Sequence, residues 1–331
     1  MTHVPGLSRW WATLSERLMG TAVAAGGSSP GRGRRHWSAG ALSEEPVTSS
    51  TTFYAGSITK QLIAALVARA VIDGHVDTQA SIRTYLPGLP AWTTPIRVHH
   101  LVHHTAALPQ PRRLAVALGY TDDEAGWSQL DNESVVLALH RVSPSAGPPG
   151  QRFSYDNTGY VLLAELLRVV HGRGVADLAK SELFDQLGLA GTRLGGPAPL
   201  TLPGHAAPPG TVGDGGLWTC VTDLLTWLEA MNNGRLGADL TALVQSAGKL
   251  ADGTVLDYAW GIGPRPGRAG TIYLHGGEWP GWCAMTVRCP ATASAVAILA
   301  ATEDMSTVSA AALELHELLG SSSIWPNSAQ R

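Results

Sequence analysis

Residues 53–72 read FYAGSITKQLIAALVARAVI, and the rest of the chain can be arranged around this segment. From Ser57 to Ile72 no glycine or proline interrupts a strong helical pattern, so the spacing predicts a helix starting at Ser57. A serine in the first turn with a lysine three residues on places both side chains on one helix face. Lys60 can then reach the Ser57 hydroxyl, a weak nucleophile at neutral pH that needs a neighbouring base. The helix start also offers backbone N–H groups and a positive dipole end, which favour developing negative charge. Alone, S-x-x-K is a weak signal, because its usual meaning is a capped helix start with a solvated lysine.

Outward from this helix the texture of the chain changes on both sides. Residues 7–19 carry apolar positions at helical spacing and predict an amphipathic helix. Residues 20–25 and 35–42 read as strands, joined by a Gly/Ser/Arg-rich hairpin loop at 26–34. Helices are expected near 96–103, 132–142, 158–171, 174–187, 222–232 and 236–247, and a loop at 143–151. Past residue 255 come four expected strands, 258–263, 270–275, 282–289 and 294–302, and then a helix over 306–319 opened by a Ser/Thr cap. The order predicts an α/β (α+β) fold with a mainly antiparallel sheet flanked by helices and an inserted all-helical domain. The sheet lobe would take residues 1–60 and 250–331, the helical lobe 61–249. The crevice between them is the expected site.

Composition narrows the class. A chain of 331 residues that is 44% hydrophobic and 15% charged can bury a sizeable core. The net charge of −3 leaves no basic footprint, so nucleic acid is not an expected partner. Cys220, Cys283 and Cys289 make no disulfide framework and no CxxC zinc spacing, and read as buried or free thiols of a reducing compartment. No run approaches the ~18 apolar residues of a membrane span. The N-terminus lacks a basic n-region. Arg9 and Glu16–Arg17 break its apolar positions, and Met19–Ala25 is too short and too late for a signal core. The expectation is a cytoplasmic protein with no membrane partner.

Two further blocks complete a constellation. Residues 153–160 read FSYDNTGY, and residues 274–281 read LHGGEWPG at an expected strand end. Together with Ser57–Lys60, the pairs Tyr155–Asn157 and His275–Gly277 resemble the three motifs of the serine β-lactamase, penicillin-binding-protein and esterase superfamily: S-x-x-K, Y-x-N and [K/H/W]-x-G. The chain is similar to the class C β-lactamase-related branch, on its esterase and D-peptidase side, in motif order and spacing. Supporting similarities lie at Phe53–Gln61, Ile96–Pro109, Leu183–Thr192 and Gly215–Leu224. The resemblance covers roughly residues 20–305.

It implies that Ser57 forms an acyl-enzyme with a small-molecule or short-peptide acyl substrate. Tyr155 would take the larger share of the acid and base work. Lys60 would orient the hydroxyl and favour loss of the phenolic proton, as one coupled pair with Tyr155. Asn157 would bond Lys60 or the substrate amide. The backbone N–H groups of Ser57 and Glu278 would hold the oxyanion, with Gly276 and Gly277 admitting the substrate backbone. No cofactor or metal is implied. Where penicillin-recognising relatives commonly carry lysine, this chain has His275, mostly neutral at pH 7. His275 suits a bond to Tyr155 or to a neutral acyl group better than a carboxylate. That favours ester or amide hydrolysis, including D-amino-acid peptides, over β-lactamase, DD-carboxypeptidase or peptide thioesterase-cyclase work at the same site. Ala106 and Ala107 replace a frequent Ser-Gly. Trp218, Trp260, Trp279 and Trp282 stand beside the motifs and either line an acyl pocket or pack the core.

A reading of another class rests on residues 99–104, HHLVHH. His99 with His103, and His100 with His104, fall at i,i+4 and could make a metal pair. A catalytic metal needs a third ligand and an activated water, and no HExxH glutamate accompanies the pair. A non-catalytic binding module of the same fold is opposed by the intact Ser57, Lys60, Tyr155 and Asn157. Substrate identity, hydrolysis against acyl transfer, and oligomeric state are not legible.

Overall fold

The computed structural model describes residues 6–144 and 147–320. The expected terminal residues 1–5 and 321–331 of the sheet lobe, and residues 145–146 of the expected loop, lie outside the described residues. The expected mixed α/β architecture is present. Its centre is a six-stranded sheet of β1 (Val23–Ser29), β2 (Gly33–Ala39), β3 (Gly263–Gly267), β4 (Gly270–Trp279), β5 (Trp282–Cys289) and β6 (Ser294–Ala300). The order is β2-β1-β6-β5-β4-β3 with every neighbour antiparallel. The two ends of the chain therefore meet inside one sheet, with Val23 opposite Ala300 and Ser28 opposite Ala295.

Alternation along the strands assigns the two faces. Val296, Ile298 and Ala300 face one way with Val23, Ala25, Met285 and Val287, beneath α1 (Leu7–Arg17) and α5 (Met305–Gly320). Ala295, Ala297 and Leu299 face the larger core, where α4 (Val221–Asn232) packs across β1, β5 and β6. Strand β6 is buried at every residue, as a strand covered on both faces must be. Trp10 staples the outer layer. Its indole N–H donates to the Ala311 carbonyl at 2.9 Å, and its ring meets Trp37 edge-on at 5.1 Å.

The segment 26–34 is not the long loop expected. Strands β1 and β2 run on through Ser29 and from Gly33, leaving only a tight turn at 30–32. Gly26 and Gly27 are strand residues because helices press on both faces there. A Cβ on Gly26 would meet Val221 Cγ1 at 2.4 Å, and one on Gly27 would meet Leu319 Cδ1 at 2.5 Å. The expected strand 258–263 is shifted to Gly263–Gly267. Pro264 and Pro266 are tolerated because β3 is the edge strand and needs no further ladder donor. The strand expected at 270–275 continues to Trp279.

The middle of the chain supplies α2 (Thr59–Ile72), α3 (Asn157–His171), the helices Val98–Val102, Asn132–Leu139 and Ala238–Val244, and a helical run from Val175 to Leu187 with a π turn inside it. A small unexpected sheet pairs Phe53–Tyr54 with Leu217–Thr219 and the latter with Arg193–Leu194, and it leads the chain into the first turn before α2. Helix α2 is apolar almost all round and buried along nearly its whole length. All three cysteines are buried and unpaired. Among the described residues, no helix is long and apolar enough to cross a membrane.

Because Trp10 is 2% exposed and bonded across to α5, Trp10→Ala should destabilise the fold by roughly 3–5 kcal/mol in urea or thermal unfolding. A loss below about 1 kcal/mol would show that α1 does not secure the outer face.

Candidate active site

The chain enters α2 through a 3₁₀ turn, Gly56–Ile58. The Thr59 hydroxyl closes this turn on the Gly56 carbonyl at 2.6 Å and receives the Leu217 N–H at 3.2 Å. Gly56 has φ +50°, in the left-handed region, and its missing Cβ would sit 2.8 Å from Glu278 N. Gly277, opposite on β4, has the reciprocal constraint. A Cβ there would fall 2.0 Å from the Ala55 carbonyl oxygen and 3.1 Å from Ser57 N. The backbones of turn and strand therefore touch with nothing between them, which brings Ser57 N and Glu278 N to one junction. Gly277 makes room for the protein's own turn. Gly276 is less constrained, since the one close contact of a Cβ there, at 2.5 Å, is the far end of the flexible Met305 side chain.

Lys60 is fully buried, and its amine has three partners. They are Ser57 Oγ at 2.9 Å, Asn157 Oδ1 at 2.8 Å and the Asp214 carbonyl at 2.8 Å. Two are pure acceptors. The third, the Ser57 hydroxyl, can accept from an ammonium or donate to a free amine, so the geometry suits both protonation states. Asn157 opens α3, whose N-cap is Asp156. Tyr155 lies just before that cap. Its ring centroid is 5.0 Å from Lys60 Nζ, and the residue is 37% exposed. Among the described residues no hydrogen bond engages its hydroxyl. Gln61, the neighbour of Lys60, turns the other way. It donates to Thr286 Oγ1 on β5 at 2.9 Å and accepts from the Trp227 indole at 3.1 Å.

His275 does not bond Tyr155, one of the two partners expected for it. Its Nε2 pairs with the Tyr258 hydroxyl at 3.1 Å and its Nδ1 contacts the Gly276 carbonyl at 2.6 Å, while the Tyr155 ring lies 6.1 Å away. Burial, and next the Lys60 charge, bring its pKa down to about 4, so the ring is neutral near pH 7. Burial pushes the Asp156 carboxyl up to about 8 and raises Asp214 against the pull of Lys60. One oxygen of each, Asp156 Oδ2 and Asp214 Oδ1, is buried without a hydrogen bond.

Ser57, Tyr155, Asn157, His275 and Glu278 line one cleft of about 620 Å³. Trp279 and Trp282 line it too, whereas Trp218 and Trp260 are core residues. Trp127, Arg112, Glu124 and Glu303 also face the cleft, and no motif marked them. The four histidines of 99–104 take separate tasks. His99 contacts the Thr78 carbonyl, His100 accepts the Arg97 N–H, His103 meets Trp260 edge-on, and His104 accepts the Asp156 N–H. Among the described residues, no three His, Cys, Asp or Glu side chains gather into a metal site.

The chain matches the family described as Beta-lactamase over residues 17–319. It is similar to penicillin-binding protein 4* of Bacillus subtilis (strain 168), with 23% identity over 85% of this chain and 68% of that protein. It is also similar to a D-aminopeptidase of Gluconobacter oxydans (strain 621H), with 24% identity over 72% of this chain and 47% of that protein, so it spans about half of that relative's length. In fold it is similar to D-amino acid amidase from Ochrobactrum anthropi SV3, with a TM-score of 0.72 and 19% identity, covering 95% of this chain and 97% of the other.

An acid whose pKa is raised by folding is favoured in its protonated form. The stability contributed by burying neutral Asp156 is complete below its ordinary 3.8 and is lost as pH rises towards about 8. Asp156→Asn keeps the cap and removes this dependence. The difference in melting temperature between variant and wild type should move in favour of the variant from pH 4 to pH 8. A difference that stays flat over that range would contradict a buried protonated carboxyl.

Proposed function

The chain is a serine hydrolase of the Beta-lactamase family, and on that premise we propose that it hydrolyses amides and esters, D-amino-acid peptides and amides foremost, through an acyl group on Ser57. The observation that carries this reading is the buried Lys60 amine held 2.9 Å from the hydroxyl of a half-exposed serine. The similarity to a D-aminopeptidase supports the D-amino-acid preference.

In the proposed sequence, Ser57 Oγ attacks the acyl carbonyl and its proton passes to the pair Lys60 and Tyr155. The backbone N–H groups of Ser57 and Glu278 receive the oxyanion, a role supported by the contact of Gly56 with Gly277 and Glu278. The pair returns the proton to the leaving amine or alcohol as its bond to carbon breaks. Water then attacks the acyl-enzyme, gives its proton to the same pair, and Ser57 recovers it as the acid departs. Tyr155 serves as the main carrier, because among the described residues no hydrogen bond engages its hydroxyl, while the Lys60 amine is engaged by Asn157 and Asp214. Asn157 holds Lys60. No cofactor enters this scheme.

A neutral His275 offers no cation to a substrate carboxylate, which weighs against penicillins and peptides with a free C-terminal D-residue. We further propose a cytoplasmic site of action, in keeping with three buried, unpaired cysteines. The division into a sheet lobe (1–60 and 250–331) and a helical lobe (61–249) is likewise our proposal. In it, α4 lies on the sheet although its residues belong to the middle of the chain.

Intact-mass detection of acylation by p-nitrophenyl esters, D-amino-acid amides and a chromogenic cephalosporin tests the scheme. Esters and D-amides should label the wild type, the cephalosporin poorly, and Ser57→Ala should take no label. Lys60→Ala and Tyr155→Phe should each lower turnover about 10²–10⁴-fold with the fold retained. Labelling that survives in Ser57→Ala would refute the mechanism.

A further inference from the structure

We infer that His104 is a positioning residue for Tyr155, gripping the chain on both sides of that residue and lying against its ring. The inference rests on the reading of Tyr155 as a proton carrier. The His104 carbonyl accepts the N–H of Ser154 at 2.8 Å, and the His104 Nδ1 accepts the N–H of Asp156 at 3.0 Å. The residues before and after Tyr155 are thus both bonded to one histidine. The imidazole also lies over the Tyr155 ring, with centroids 4.3 Å apart and planes tilted by 36°. Tyr160 and Tyr258 enclose the same imidazole at 5.1 and 4.6 Å.

This grip matters because, among the described residues, Tyr155 is otherwise bonded at its backbone, where Gln110 Nε2 donates to its carbonyl at 2.6 Å. The side chain is 37% exposed, and among the described residues its hydroxyl is unbonded. The chain before it, from Gly150 to Ser154, has no regular structure; beyond the Ser154 bond it is tied at Gly150, whose N–H reaches the Thr105 carbonyl and whose carbonyl accepts the Ala251 N–H, each at 2.8 Å. The direction of the phenol is therefore set by its backbone and by the ring beneath it.

Two features of His104 fit this task better than ordinary packing. Its φ is +55°, a left-handed conformation that is strained for a non-glycine residue and persists only where the surroundings enforce it. This conformation lets a single residue direct both its carbonyl and its ring at neighbouring N–H groups of one segment. Secondly, Nδ1 acts as an acceptor, so the proton resides on Nε2, which is buried among the aromatic rings without a hydrogen-bonding partner. Burial, then the Lys60 charge, hold the ring pKa well below 6.5, and the neutral ring stays available as an acceptor. A charged ring would release Asp156 and set a second cation beside Lys60.

The test separates the two halves of the grip. His104→Asn keeps a side-chain acceptor and tolerates the positive φ. His104→Phe keeps a ring and loses the acceptor, and His104→Ala loses both. Acylation of each variant by a p-nitrophenyl ester is followed by intact mass and steady-state kinetics, alone and with Tyr155→Phe, and thermal unfolding reports the fold. His104→Phe and His104→Ala should lower kcat about 10- to 100-fold with KM nearly unchanged. His104→Asn should recover a large part of that loss. In the Tyr155→Phe background none of the three should cost anything further, which a merely structural residue would not satisfy. Undiminished kcat in folded His104→Phe, or a loss that repeats in full beside Tyr155→Phe, would overturn the positioning role alone. Undiminished kcat in Tyr155→Phe itself would overturn it together with the reading on which it rests.

Discussion

Taking an amine out of water costs several kcal/mol unless its hydrogen-bonding capacity is met. Lys60 is wholly buried, and its needs are met from three distant places in the chain: the turn before α2, the first residue of α3, and the loop ahead of Leu217–Thr219. Each of those places must be held still for the bonds to form. The turn is wedged against β4 by paired glycines, and the start of α3 is fixed by the Asp156 cap. Gln61 extends the same requirement into the sheet, through Thr286 and on to the His275 carbonyl, and into α4 through Trp227. The groups to which the proposed mechanism assigns the reaction are therefore also groups that join the helical segments to the sheet.

The electrostatics around this amine run towards neutrality. Burial favours the uncharged form at His275, His104, Asp156 and Asp214 alike. In the proposed mechanism the work of stabilising developing charge falls to fixed dipoles: backbone N–H groups at the turn and strand, and the carboxamide of Asn157. Such dipoles need no rearrangement when charge appears, and they act more strongly away from water. The carboxylates of Glu124, Glu278 and Glu303 lie at the cleft walls.

Sequence reading located the parts whose signal is local or carried by motif. Ser57 and Lys60 share one helix face, and α2 follows directly from an uninterrupted pattern. The Y-x-N and H-x-G blocks marked Tyr155, Asn157 and His275, all of which line the cleft together. What was not legible depends on contacts between distant segments. Gly26 and Gly27 look like loop residues until Val221 and Leu319 are seen to occupy the space of their side chains. Pro264 and Pro266 look like breakers until β3 is known to be an edge. Tyr258, the partner that His275 takes, has no motif around it, and neither does Trp127, while Asp214 stands one residue before the Gly215–Leu224 similarity. The HHLVHH run suggested i,i+4 pairs, but its helix ends at Val102, and His104 has φ +55° outside it.

The pairing of β1 with β6 has a consequence for how the protein is made. Strand β1 acquires this neighbour only when residues 294–300, translated well after it, leave the ribosome. At ~5–20 residues per second, this means an interval of tens of seconds. During it, one edge of the β1–β2 hairpin has no strand beside it, and Val23 and Ala25 lack the cover later given by α5. Such non-local pairings are also the slow ones to form. A nascent chain that stops short of β4 would carry Ser57 and Lys60 without the strand that wedges their turn, so in the proposed mechanism competence for acylation waits on residues 270–279.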